Sequence, residues 1–323
     1  MAEAVRILIA GTGTVGTSIG LALQRSGMPF DRVGYDPHGP RAQQAQKSGA
    51  VDRVVSQPGR AGAVSLVIVA LPPSRALAVV EALAGSLPSE TVVLCATPVS
   101  SQAFEEMRRR LGSTNACLLT VPFVGAERVL QAEGDSAPSA DIFAGGLLAI
   151  VAPAGTPQPA IELSLDLASV LETKPFFLDP AELDSVTATC EHLPALLAAA
   201  TLTSLPANPG WRDQQRLVGE TFARFVGILQ GTPAELAASW IGTRGPLLAR
   251  LDALAEELTA LREALATGDE AAVATRLESA GAHDREWRLA RASAQPDVPT
   301  DAPSVPRTSL FDRLLGGGPS KKN

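Results

Sequence analysis

The chain has 323 residues, 46% hydrophobic, 19% charged and only 4% aromatic, enough for two buried cores built from Ala, Leu and Val. A net charge of −7 excludes non-specific binding to nucleic acid or an anionic membrane, which needs clustered Lys and Arg. Cys95, Cys117 and Cys190 form no CxxC pair, and His38, His192 and His283 are too scattered for a metal motif, so a reduced protein with no metal is expected.

The N-terminus enters an apolar strand, Val5–Ala10, without the features of an export signal. No uninterrupted apolar segment reaches the ~20 residues of a membrane span, so the chain is expected to be soluble and cytoplasmic. Further strand-like runs are Arg32–Tyr35, Leu66–Leu71, Thr91–Leu94, Cys117–Val121 and Leu147–Val151, most of them continuously apolar, as in a parallel sheet covered on both faces. Helical patterns fall between them at Val15–Arg25, Pro40–Ser48, Arg75–Ala84 and Gln102–Leu111. Thr173–Leu178 completes the set. Repeated βα units predict an α/β fold, an N-terminal Rossmann-type, doubly wound and mostly parallel sheet over residues 1–178.

From Asp179-Pro180 to about residue 292 the pattern is helical, predicting an all-helical C-terminal domain over 179–292. In Pro246–Ala266, Leu248, Leu251, Leu254, Leu258, Leu261 and Leu265 recur every three or four residues, and Gly268-Asp269 reads as a helix stop followed by a new N-cap. So long an apolar stripe in a small domain points to a homodimer, with an intrachain bundle as the alternative. The Pro-, Ser-, Asp- and Thr-rich segment 293–323 is expected to be a disordered tail, with one apolar island at Ser309–Leu315.

The first strand runs into Gly11-Thr12-Gly13-Thr14-Val15-Gly16. Between a strand and a helix, this spacing allows a tight turn at Gly11, backbone approach to a diphosphate at Gly13 and close helix–strand packing at Gly16. Free amides at the helix start would hold the anion. Thr12 and Thr14 add hydroxyls. Asp36, ending the next strand, can accept from ribose hydroxyls and repel a 2′-phosphate, favouring NAD; His38 and Arg41 nearby leave NADP open. Leu71-Pro72-Pro73 would line the same cleft, since ligands sit beyond the carboxyl ends of parallel strands.

Taken together, Ile9 to Gly20, Val33-Gly34-Tyr35-Asp36, Val67 to Pro73, Asp141-Ile142-Phe143-Ala144-Gly145, Glu191-His192-Leu193-Pro194 and Gly231-Thr232-Pro233 resemble the prephenate and arogenate dehydrogenases of tyrosine biosynthesis. The resemblance spans roughly residues 5 to 290. It implies oxidative decarboxylation of a small-molecule substrate: a ring carbon bearing a hydroxyl gives its hydride to nicotinamide, and a carboxylate leaves as carbon dioxide. It also implies a histidine in a His-Pro motif serving the hydroxyl, a nearby serine, and an arginine and second histidine holding the substrate. Here Val121-Pro122, Pro98, Ala195, Ala223 and Gly227 stand at those places, with Arg224 displaced by one.

His192 and Thr97 are then the candidate catalytic groups. On a straight helix over 184–195, Asp184, Ala188, Glu191, His192 and Ala195 share a face, giving His192 a carboxylate neighbour. Its competing role is structural. Three functions remain open: such a dehydrogenase with an altered site, a dehydrogenase for another hydroxy or amino acid, and a dinucleotide-binding sensor without turnover. A β-hydroxyacid dehydrogenase falls behind, because it needs a lysine in the second domain and none lies between Asp179 and Ala292.

Overall fold

A computed structural model of the chain describes residues 5–130 and 137–293. The predicted tail and its island, from residue 294 on, lie outside the described residues. The described chain divides into two compact units. One holds the residues up to Pro98, Gln102–Asp179 and those from Glu286 onward; the other holds Val99–Ser101 with Pro180–Arg285.

The first unit is an eight-stranded sheet: β1 Val5–Ala10, β2 Phe30–Tyr35, β3 Arg53–Val54, β4 Leu66–Val69, β5 Val92–Cys95, β6 Ala116–Phe123, β7 Leu147–Val151 and β8 Lys174–Phe177. The helices between them are α1 Thr14–Arg25, α2 Gly39–Lys47, α3 Pro73–Leu83, α4 Ser101–Leu111, α5 Ala126–Leu130 and α6 Gln158–Val170. Spatial order is β3-β2-β1-β4-β5-β6-β7-β8. Every pair is parallel except β6 with β7, where Val121 faces Ala149 across an antiparallel ladder. The chain leaves β1 toward β2 on one side and returns as β4 on the other, so the order reverses beside β1. Ligands of such sheets bind beyond the strand ends at that reversal.

The apolar runs are buried as their continuity implies: all four residues of β4 and of β5 are buried, as are Ile7 and Ile9 in β1, and α1 covers them with Ile19 and Leu23. Arg32, buried in β2, makes a two-pronged bond to Asp52 (2.7 and 3.1 Å) and donates to the carbonyls of Gly20 and Gly49. A buried guanidinium satisfied in this way fixes β2 against the turns around it. Cys95 and Cys117 lie in the core, where burial pushes both thiols up, Cys95 to about 11, while Cys190 is exposed. A thiol reagent is expected to modify Cys190 alone in the folded protein and all three cysteines after denaturation.

The second unit contains α7 Pro180–Thr187, α8 Leu193–Ser204, α9 Trp211–Gln214, α10 Glu220–Gly227, α11 Pro233–Gly242, α12 Arg244–Thr267 and most of α13, Glu270–Ser293. Thr232 caps α11 with a reciprocal Thr232–Glu235 box. Gly268 closes α12 in the left-handed conformation (φ +68°), and Asp269 accepts from the Ala272 amide to start α13. The two long helices are clipped by Arg276–Glu257 at 2.6 Å. No helix among the described residues is long and apolar enough to cross a membrane.

Candidate functional site

The loop after β1 is held from three sides. The Gly11 amide donates to the Tyr35 carbonyl and the Ala70 amide to the Ala10 carbonyl, both at 2.7 Å, while the Thr17 hydroxyl reaches back to the Thr12 carbonyl at 2.9 Å. Gly11 adopts φ +100°, and a Cβ there would sit 2.4 Å from the Ala70 carbonyl oxygen. A Cβ on Gly16 would fall 1.8 Å from the Gly11 oxygen, so helix and loop touch backbone to backbone. Gly13 differs: a Cβ there meets nothing within 4 Å. Its lack of a side chain therefore answers to no protein neighbour and leaves a cradle open in front of α1. No side chain caps that helix, so its first-turn amides are available to an anion.

Asp36 closes the other side of the loop. Its Oδ2 accepts from the Thr12 amide (2.8 Å) and the Thr12 hydroxyl (3.2 Å), and its Oδ1 from the His38 amide (2.8 Å). The buried carboxylate thus shapes the loop as well as presenting negative charge at the end of β2. Asp36→Ala is expected to weaken dinucleotide affinity by at least tenfold and to lower stability by about 1–3 kcal/mol, because it strips the charged acceptor from three donors. Calorimetric titration and a denaturant melt measure the two effects. Thr14 is exposed at the start of α1 and Val15 half-buried beside it. Leu71 is buried, its Cγ next to the place a Gly11 Cβ would take, and Pro72 is exposed before α3. Together these residues border a single loop cluster at the strand-order reversal.

In the helical unit the segment around His192 is not a straight helix. Ala188–His192 forms a π-turn between α7 and α8, with the Leu193 amide bonded to the Ala188 carbonyl five residues back. Pro194 explains it: proline offers no amide to the carbonyl four residues earlier and crowds it, and the wider turn absorbs the defect. The expected shared face is therefore re-registered. Asp184 binds Ser101 instead, accepting from its hydroxyl at 2.7 Å and its amide at 3.1 Å. His192 finds no carboxylate: its Nδ1 lies 2.8 Å from the Thr243 hydroxyl, and both residues are buried.

Desolvation pushes the His192 pKa below 6.5, so the ring is neutral at neutral pH. Among the described residues no protein group hydrogen-bonds its Nε2, which is not one of the sealed, unpaired atoms there, Thr120 Oγ1 and Trp240 Nε1. Desolvation also raises Asp184, against the pull of its Ser101 bonds, and Glu191, although Glu191 is an exposed residue. A carboxyl with a raised pKa binds more protons in the folded state, so stability falls as pH rises through that range and stays lower above it. Glu191→Gln is accordingly expected to raise the melting temperature at mildly alkaline pH and to change nothing well below 4.5, where the group is protonated in both states.

Thr97 lies just after β5, where its carbonyl accepts from the Cys95 thiol at 3.4 Å; it belongs to the first unit and His192 to the second. Val121 is buried within β6. Arg224 is exposed and paired with Glu220 one turn away at 2.7 Å. Two residues went unnoticed in the sequence. Thr243 supplies the partner of His192, and Arg244 follows it as an exposed guanidinium at the start of α12, a helix with no acidic residue in its first turn. A cation at the positive end of a long helix is locally unfavourable, but the sequence pattern begins only at Pro246, so the misfit appears only in the structure.

Residues 19–174 match the family profile described as prephenate dehydrogenase, nucleotide-binding domain. A curated relative, "Probable prephenate dehydrogenase NovF" of Streptomyces niveus, is 28% identical over 267 residues, covering 80% of this chain and 68% of its own length. Among solved structures, prephenate dehydrogenase from A. aeolicus, in complex with hydroxyphenyl propionate and NAD+, superposes with a TM-score of 0.75 at 18% identity, covering 88% of this chain and 98% of its own. Synechocystis arogenate dehydrogenase gives 0.66 at 17% identity, covering 88% and 100%. At these identities the structural likenesses speak for the fold.

Proposed function

We propose that the chain, whose residues 19–174 match the prephenate dehydrogenase nucleotide-binding domain, is a cytoplasmic, NAD-linked dehydrogenase acting on prephenate or arogenate in tyrosine biosynthesis, with NADP as a weaker alternative. The observation that carries the proposal is the glycine loop. Gly11 and Gly16 are glycines because backbone fills the space beside them, and Gly13 is one although nothing does. That is the shape required for a diphosphate to approach the backbone. Residues 1–178 are the dinucleotide-binding domain, with Gly11, Thr12, Gly13, Thr14, Val15 and Gly16 around the diphosphate, Asp36 on the ribose and Leu71 and Pro72 along the cleft; 179–292 form the substrate and dimer domain.

NAD held by Gly11 to Gly16 and Asp36 would supply the hydride acceptor. The chain's own groups govern the rest. His192 is neutral and offers Nε2 as acceptor for the reacting hydroxyl's proton, in place of the histidine that Val121 replaces. Thr97, in the first unit, is the second candidate catalytic group, with a hydroxyl such as the missing serine would offer. Arg244 supplies the cation for a substrate carboxylate where Ala223 and Gly227 cannot. Arg244→Gln should raise KM at least tenfold and change kcat little, as steady-state kinetics will show.

The second reading, a dinucleotide sensor without turnover, draws support from those same replaced positions. Nicotinamide absorbance after addition of prephenate, then arogenate, with NAD or NADP, separates the two. Formation of reduced cofactor supports the enzyme, and a flat trace from protein that binds NAD supports the sensor.

A homodimer through the helical domain is part of the proposal. On α12, Leu251, Leu254 and Leu261 are half-buried, but Leu265 is 68% exposed and Leu248 and Leu258 are exposed too, as is Leu277 on α13. A second copy laid on these helices would cover them. Light scattering should give twice the chain mass, and the double variant Leu258→Glu, Leu265→Glu should give the monomer.

A further inference from the structure

The contacts of Thr243 bear on which nitrogen of His192 carries the proton. A threonine hydroxyl has one proton to give and lone pairs to receive with. Thr243 Oγ1 lies 2.8 Å from His192 Nδ1 and 3.4 Å from the Ser239 carbonyl one turn back on α11. Both contacts are hydrogen bonds at once in only one arrangement: the hydroxyl donates to the carbonyl, and Nδ1–H donates to the hydroxyl. Nε2 is then left as a bare acceptor. The reverse arrangement, with the hydroxyl donating to Nδ1, forfeits the Ser239 bond and turns Nε2 into a donor unable to take a proton. The hydroxyl is held in place by burial and by the packing beneath it: the residue before it, Gly242, lies so close to Ser100 that an added Cβ would sit 2.8 Å from the serine oxygen.

We propose that Thr243 is a positioning residue that locks His192 in the Nδ1–H tautomer and so keeps Nε2 ready to accept the proton of the substrate hydroxyl. The inference rests on the reading of His192 as the proton acceptor, and its effect passes through the ring alone, since Thr243 need not touch substrate. It also accounts for a π-turn at this place: the wider turn sets the ring toward α11 and Thr243 instead of toward the carboxylates of its own helix.

Nitrogen-15 NMR of the full-length protein tests the lock directly. The chain has only three histidines, so the His192 ring signals are those lost in His192→Gln. At a pH above the ring's pKa, wild type should show a protonated Nδ1 and an unprotonated Nε2. Thr243→Val, close in shape but without the hydroxyl, should lose that preference and reduce kcat on the order of 10- to 100-fold with little change in KM, while Thr243→Ser should restore both. A wild-type ring protonated at Nε2, or a tautomer unmoved by Thr243→Val, overturns the proposal. The proposal about His192 itself fails separately: it falls if His192→Gln leaves turnover intact, a result that would not alter the tautomer seen by NMR.

Discussion

Gly16→Ala should destabilise the first unit severely, whereas Gly13→Val should leave its stability nearly unchanged and abolish dinucleotide binding. The two positions lie three residues apart in one motif, and the structure separates their reasons. At Gly16 the new methyl would stand 1.8 Å from a backbone oxygen, in a loop also pinned through the Tyr35 carbonyl and the Thr12 carbonyl. No side chain can swing aside, so loop and helix must part; the cost is at least ~3 kcal/mol, the upper range of overpacking, set against a total stability of only about 5–15 kcal/mol. At Gly13 the backbone is extended (φ −71°, ψ −164°) and an added Cβ meets nothing within 4 Å, so valine should cost no more than about 1 kcal/mol as a poorer helix cap. Its methyl groups would occupy the space assigned to the diphosphate. Thermal melts and calorimetric NAD titrations on both variants check the pair. Equal stability losses would remove the distinction on which the cofactor site rests.

His192→Gln should lower kcat by about 10²- to 10⁴-fold, the usual contribution of a positioned general base, with KM nearly unchanged. Because the ring must be neutral to accept a proton, wild-type kcat should fall on the acid side as the ring protonates. Desolvation sets that limb below 6.5, and the glutamine variant should lack it. A limb that survives in the variant belongs to another group, with Glu191 the first to examine, since its raised carboxyl adjoins His192 in sequence.

Much of the architecture was legible because parallel strands buried on both faces leave continuous apolar runs, such as those of β1, β4 and β5. The stop and restart at Gly268-Asp269 was legible for a comparable reason, since a left-handed glycine and an Asp cap are local devices. What escaped is non-local or short. β3 pairs through only Arg53 and Val54, too little for a run. The antiparallel course of β7 leaves no mark on a strand apolar on both faces. α5 and α6 were not read from the sequence; α6 starts among Pro157 and Pro159 without an N-cap side chain. The carboxylate expected beside His192 assumed an unbroken helix, and the proline that breaks it was on view at Pro194. Its true partner, Thr243, lies 51 residues away and becomes visible only once α11 packs on the π-turn.

The most direct test of the account follows the hydride itself. Prephenate, and separately arogenate, labelled with deuterium at the hydroxyl-bearing ring carbon, would be incubated with the protein and NAD, and the recovered nicotinamide analysed by mass spectrometry. Deuterium should appear in the reduced nicotinamide with release of carbon dioxide in equal amount, and both should be lost with Gly13→Val. Unlabelled, unreduced nicotinamide with either substrate, recovered from protein saturated with NAD, would contradict it and leave a dinucleotide-binding protein without this chemistry.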